Sequence, residues 1–160
     1  MEKLKIAVIG YGNVGKFTVE AVRSSLDMEL AGVVRRAESL KNNPPELSSV
    51  KVVSNIDELG KVDVAILCGP SRSVPELAPG YLERSIYTVD CFDIHSDIYD
   101  LHEKLDSIAK KNQVAAVTAA GWDPGSDSVV RALMMAMAPK GLTYTNFGPG
   151  MSMGHSVVAR

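Results

Sequence analysis

Two cysteines, one tryptophan and 6% aromatic residues are what this 160-residue chain has least of. Cys68 and Cys91 lie far apart and in no metal-ligand spacing, which argues against a metal site or a disulfide framework. So few cysteines fit a reducing, cytoplasmic compartment. No apolar run approaches the ~20 residues that span a bilayer. The opening MEKLKIAVIG leads a short apolar run straight into glycines without a cleavage site, so it does not read as a signal peptide. Seventeen basic against nineteen acidic residues leave a formal charge of -2, no field for nucleic acid or an anionic membrane. What remains is an ordinary globular composition and a length of about one domain at ~150 residues each.

Strand-like apolar runs alternate with helix-like amphipathic ones. Strands are expected at 4–9, 30–34, 51–53, 62–67, 86–89 and 114–119, and another begins at 142–147. Helices are expected at 13–26, 74–84, 98–111 and 126–138. The first should turn Val14, Phe17, Val19, Ala21 and Val22 inward, and the last should bury Met134, Met135 and Met137. Residues 37–49 are polar, proline-broken loop. This rhythm predicts an α/β fold with a doubly wound, Rossmann-type parallel sheet, whose ligands sit beyond the carboxyl ends of the strands.

The motifs fall at those ends. GYGNVG places Gly10, Tyr11, Gly12, Asn13, Val14 and Gly15 between the first strand and helix, a context that suits a dinucleotide pyrophosphate. The second strand ends in Arg35 and Arg36, where NAD binders usually carry a carboxylate; two guanidiniums favour a ribose 2′-phosphate, hence NADP. After the fourth strand, Cys68, Gly69 and Ser71 are small enough to let a cofactor lie across the strand ends, with Cys68 a buried filler.

The remaining polar residues gather in TVDCFDIH, GWDPG and NFGPGMSMGHS. Asp90 and Asp123 could converge on an ammonium, with Trp122 as a wall. Plainer roles stand beside these. Asp93 and Asp97 can cap the next helix, Asp123 can be a turn residue, Trp122 can be core, and His95 and His102 can be surface. The glycine-rich segment with Gly148, Gly150, Gly154 and His155 can turn backbone N–H groups toward a carboxylate.

Together GYGNVG, the Arg pair, TVD..D.H, GWDPG and FGPGMS.GHS resemble meso-diaminopimelate dehydrogenase over essentially all 160 residues. The resemblance implies an NADP-dependent enzyme that reversibly deaminates the D-centre of meso-2,6-diaminopimelate to L-2-amino-6-oxopimelate, in lysine biosynthesis. It implies catalytic roles for Asp90, Asp123 and Trp122, substrate contacts from Phe147, Met153, Gly154 and His155, and cofactor contacts from the glycine, arginine and Cys68–Ser71 positions. LCGPSRSVPE is more compact than the family's usual pattern; with GMSMGHS it resembles the branch that also aminates 2-keto acids to D-amino acids. Family chains are about twice this length, so residues 1–160 are expected to be the dinucleotide-binding domain, with the substrate and dimerisation domain missing. A small amino-acid substrate and a homodimer of the complete protein are the implied partners. The alternatives are a reductase of similar fold (dihydrodipicolinate, homoserine or imine reductase type) or a non-catalytic NADPH-sensing module.

Overall fold

The computed structural model describes residues 2–141. Six strands form one parallel sheet: β1 (Leu4–Ile9), β2 (Met28–Val34), β3 (Val52–Val53), β4 (Val64–Leu67), β5 (Tyr87–Asp90) and β6 (Ala116–Val117). Their order is β3-β2-β1-β4-β5-β6. The chain winds outward from β1 to β3, then crosses back to begin β4 on the other side of β1. The loops after β1 and β4 therefore part above the sheet, the crevice where doubly wound folds bind ligands. The four helices are α1 (Asn13–Ser24), α2 (Val74–Leu82), α3 (Ile98–Asn112) and α4 (Ser126–Met137). No helix among the described residues is long and apolar enough to cross a membrane.

Alternation along the strands sorts the core into two layers. Ala7, Ile9, Ala65 and Leu67 face α2 and α3, which contribute Val74, Ala78, Leu82, Leu101, Leu105 and Ala109. Val8 and Val33 face the other way and meet Val19 of α1 and Leu47. The expected boundaries agree with these elements to within a few residues. The polar segment after β2 is not featureless: it carries two short 3-10 turns, Ala37–Asn42 and Pro45–Leu47.

Two expectations about helix faces are corrected. Only Gly15, Val19 and Val22 of α1 are buried, while Val14 and Phe17 are exposed. The helix packs on β1 and β2 through that stripe, and Val14 and Ala21 line the groove beside it instead. In α4, Val129, Leu133, Met134, Met135 and Met137 are all exposed. The methionines have helical spacing but are not core packing, because nothing among the described residues lies against that stripe. The strand expected at 142–147 and residues Gly148, Gly150, Met153, Gly154 and His155 lie outside the described residues.

Candidate functional site

The phosphate loop is assembled by close backbone contact. Gly10 ends β1 with φ +98°, and its N–H donates to the Val34 carbonyl at 2.9 Å. A Cβ on Gly15 would collide with the Gly10 carbonyl, so that position is glycine because α1 leaves the strand almost without clearance. Gly12 differs. A Cβ there would meet nothing within 4 Å, so the chain's own packing does not require glycine. The open space adjoins the start of α1, where Gly12 is the N-cap, no side chain caps the first N–H groups and the first turn holds no acid. Free donors, a helix dipole and clear space suit the pyrophosphate of a dinucleotide.

The two arginines do not do the same thing. Arg35 turns back on its own loop: its Nη1 donates to the Ser39 carbonyl at 3.1 Å and to Asn43 Oδ1 at 2.6 Å. It holds the 3-10 turn that follows β2. The Arg36 side chain is 84% exposed and has only a 3.9 Å contact with Glu38. Arg36 is thus available to an incoming anion, whereas Arg35 shapes the loop that presents it.

The ends of β4 and β5 bring together two residues that the sequence keeps 23 positions apart. Leu67 pairs with Asp90, so Cys68 and Cys91 follow as neighbours just past the ladder. Register makes neighbours of residues that lie far apart in the sequence, and both remain free cysteines. Neither is a poised nucleophile. Burial pushes the Cys68 thiol up, and it donates a hydrogen bond to Thr18 Oγ1 at 3.4 Å. Burial, then the charges of Asp90 and Asp93, push Cys91 up as well. A thiol held protonated in this way is a poor attacking group, as the filler reading of Cys68 requires. Gly69 is exposed and Ser71 opens the short turn before α2.

Asp90 departs most from expectation. It is 0% exposed. Its Oδ1 accepts from the Phe92 N–H at 2.9 Å, the Thr118 hydroxyl at 2.9 Å and the Ala119 N–H at 3.2 Å, and its own carbonyl accepts from the Ala120 N–H at 2.8 Å. Through Oδ1 this carboxylate clamps the loop after β6 to the end of β5, while its Oδ2 is buried with no hydrogen-bond partner among the described residues. Asp90→Ala would leave one buried and two half-buried donors unpaired, at up to about 1–3 kcal/mol each, less what relaxation and water recover. The expected loss in denaturant unfolding is about 3 kcal/mol or more; a loss below about 1 kcal/mol would show that the clamp is dispensable.

That clamp sets the position of the loop 121–125. The loop is closed on itself: Gly121 and Gly125 form a β-bridge, the Asp123–Pro124 peptide is cis, and the Asp127 N–H donates to the Trp122 carbonyl at 2.7 Å. Gly125 has φ +141°, and any Cβ on it would strike the Gly121 carbonyl. Trp122 is 59% exposed, so it is not core. Asp123 is nearly buried and accepts from Arg131 Nη2 at 3.0 Å.

These pieces enclose a groove of about 750 Å³ between α1 and the 121–125 loop. Val14 and Thr18 form one wall, Trp122 and Asp123 the other, and Ile66 and Val89 of the uncovered sheet face lie beneath, with Cys91 and Asp93 at the strand end. Of the residues expected to surround a reacting amine, Trp122 and Asp123 line this groove and Asp90 stands behind it. Phe147, Met153, Gly154 and His155 lie outside the described residues. Among the described residues, no group of three or more His, Cys, Asp or Glu could hold a metal ion. Sequence reasoning missed Asp127 and Arg131, although their i,i+4 spacing on a helix was a usable signal.

A family model for an oxidoreductase family with an NAD-binding Rossmann fold matches residues 4–91. The chain belongs to that family. Over its whole length this oxidoreductase chain is 53% identical to a meso-diaminopimelate D-dehydrogenase of Bacteroides fragilis, of which it covers 53%. It superposes on the Corynebacterium glutamicum DAP dehydrogenase in complex with DAP with a TM-score of 0.79 at 31% identity, covering 99% of this chain and 48% of that one. An engineered D-amino acid dehydrogenase bound to NADP+ gives 0.77 at 31% identity, with 98% and 48% covered. The chain spans about half the length of the relatives it matches.

Proposed function

We propose that this chain is the cofactor-binding half of an NADP-dependent amino-acid dehydrogenase that deaminates the D-centre of meso-2,6-diaminopimelate, giving L-2-amino-6-oxopimelate and ammonia. One observation carries the reading: the groove that Trp122 and Asp123 line runs along the side of α1 as far as Val14, in the first turn of the helix whose N–H groups no side chain caps. That is a seat for an amine beside a seat for a dinucleotide. The names of the relatives support it, as does the relative bound to NADP+.

In this reading the N–H groups at the start of α1 and the space over Gly12 hold the pyrophosphate, and Arg36 holds the 2′-phosphate. Arg35 braces the Arg36 loop, while Cys68, Gly69 and Ser71 leave room for the cofactor over the strand ends. When bound, the nicotinamide accepts the hydride from the D-α-carbon. Trp122 walls that carbon and lies against the ammonium; loss of the hydride and the amine proton leaves an imine, which a water molecule then hydrolyses to the oxo acid and ammonia. Asp123 orients the amine and accepts its proton, either directly or through a water. Asp90 acts through the loop it clamps. Residues 1–160 are the dinucleotide-binding domain; the substrate domain, the contacts to the distal L-centre and the homodimer belong to the remainder of a longer cytoplasmic protein serving lysine biosynthesis. Amination of other 2-keto acids to D-amino acids is a reaction of the same site.

The test is NADPH formation by the complete protein with meso-diaminopimelate, with the LL isomer and NAD+ as controls. Turnover confined to the meso isomer with NADP+ is expected, and the 160-residue chain alone should bind NADPH but turn over poorly. Tight NADPH binding without turnover of any isomer would favour a sensor or another reductase.

The arginine pair gives a separate check. Arg36→Ala is expected to weaken NADP+ binding about tenfold or more, a loss of about 1.4 kcal/mol, and to leave NAD+ binding nearly unchanged. Equal losses for both cofactors would remove Arg36 from the 2′-phosphate.

A further inference from the structure

The 121–125 loop is fastened from an unexpected direction. Arg131, eight residues further on and in the second turn of α4, donates from Nη2 to Asp123 Oδ1 at 3.0 Å. Its Nε also lies 3.1 Å from Asp127 Oδ2, a charge contact without hydrogen-bond geometry. The Asp123 and Asp127 side chains are only 10% and 7% exposed, while that of Arg131 is 42% exposed. One guanidinium thus spans two nearly buried carboxylates. Asp127 is itself fixed, since its N–H donates to the Trp122 carbonyl at 2.7 Å.

We infer that Arg131 is a positioning residue for Asp123, anchored by Asp127, and that the pair of carboxylates keeps the cluster attractive to a cationic amine. The first part is geometric. A carboxylate on a five-residue loop can turn about its side-chain torsions, and a planar guanidinium removes that freedom. Misplacing a reacting group by about 1 Å can cost on the order of 100-fold in rate. The second part is charge arithmetic. Arg131 with Asp123 alone would be neutral and would do little to draw in an ammonium. Asp127 adds a second carboxylate beside the guanidinium, so these three side chains place two acids against one base behind the groove wall that Asp123 lines. Arg131 therefore bears on kcat and Asp127 on KM. The inference rests on the amine-dehydrogenase reading for its kinetics, but not for its geometry.

Arg131→Met, Arg131→Lys and Asp127→Asn test it in two assays. In the complete protein, Arg131→Met is expected to lower kcat about 10- to 100-fold with NADP+ affinity unchanged. Arg131→Lys should recover part of that loss, because an ammonium keeps the charge beside Asp123 without the planar fork that fixes its torsions. Asp127→Asn should raise KM for the amino acid several-fold, with a smaller effect on kcat. In the 160-residue chain Trp122 is the sole tryptophan, so its fluorescence anisotropy decay reports the order of the loop whatever the reaction. Arg131→Met should add a fast component that is smaller in Arg131→Lys. The inference is overturned if Arg131→Met keeps wild-type kcat and wild-type anisotropy. It is equally overturned if kcat, cofactor affinity and thermal stability fall together and lysine restores none of them. Should Arg131→Met fail to fold, Arg131→Lys and Asp127→Asn decide: wild-type kcat, KM and anisotropy in both would sink it. A wild-type protein that turns over no isomer defeats the dehydrogenase reading, and the Trp122 decay then decides the inference by itself.

Discussion

Asp123→Asn should lower turnover of the meso substrate by about 100- to 10,000-fold, the range set by loss of a positioned proton acceptor. The asparagine Oδ1 can still accept from Arg131, so the loop should stay closed and the melting temperature should shift little. NADP+ affinity should also hold, because the cofactor's contacts lie with α1 and Arg36. The measurement is kcat and KM beside a thermal melt and a cofactor titration. A kcat within about tenfold of wild type would move proton transfer to water or to another group.

The two glycines of the phosphate loop should fail in different ways. Gly15→Ala drives a methyl group into the Gly10 carbonyl. Strand and helix must separate, at an overpacking cost of about 1–3 kcal/mol. For a domain of this size that lowers the melting temperature by about 2–4 °C per kcal/mol, and the displaced loop should lose most of its cofactor affinity. Gly12→Ala meets no protein atom within 4 Å, so its melting temperature should match wild type while cofactor affinity falls at least tenfold, or about 1.4 kcal/mol. Thermal melts and NADPH titrations of the two variants separate these effects. Equal stability losses would refute the claim that Gly12 is reserved for the ligand, and wild-type binding by Gly12→Ala would place the pyrophosphate elsewhere.

Much of this was legible before any coordinates. Largely apolar runs such as Leu4–Ile9, broken by Lys5, and Val64–Leu67 announce buried strands, and the alternation with helices leaves few parallel topologies open. The phosphate loop was legible because each glycine answers a local steric or ligand demand. The GWDPG segment could be singled out as a site, but the division of labour within it could not. Asp90 and Asp123 look alike in sequence, and burial makes one a clamp and leaves the other on the groove. Arg35 and Arg36 are adjacent and identical, but backbone acceptors within reach of one side chain engage it and leave its neighbour facing water.

Local chemistry along the sequence therefore determined the strands, the helices, the parallel sheet and the crevice where a dinucleotide belongs. Periodicity and turn geometry act over a few residues, so they can be read from a few residues. Tertiary structure alone decided which carboxylate meets the groove, that Cys68 and Cys91 are neighbours, that Arg131 grips Asp123, and that the methionine stripe of α4 stays exposed. Each of these depends on register between distant strands or on which surface lies opposite a side chain. Residue type does not encode that, because the same aspartate or methionine is stable buried or exposed according to the partners the fold brings to it.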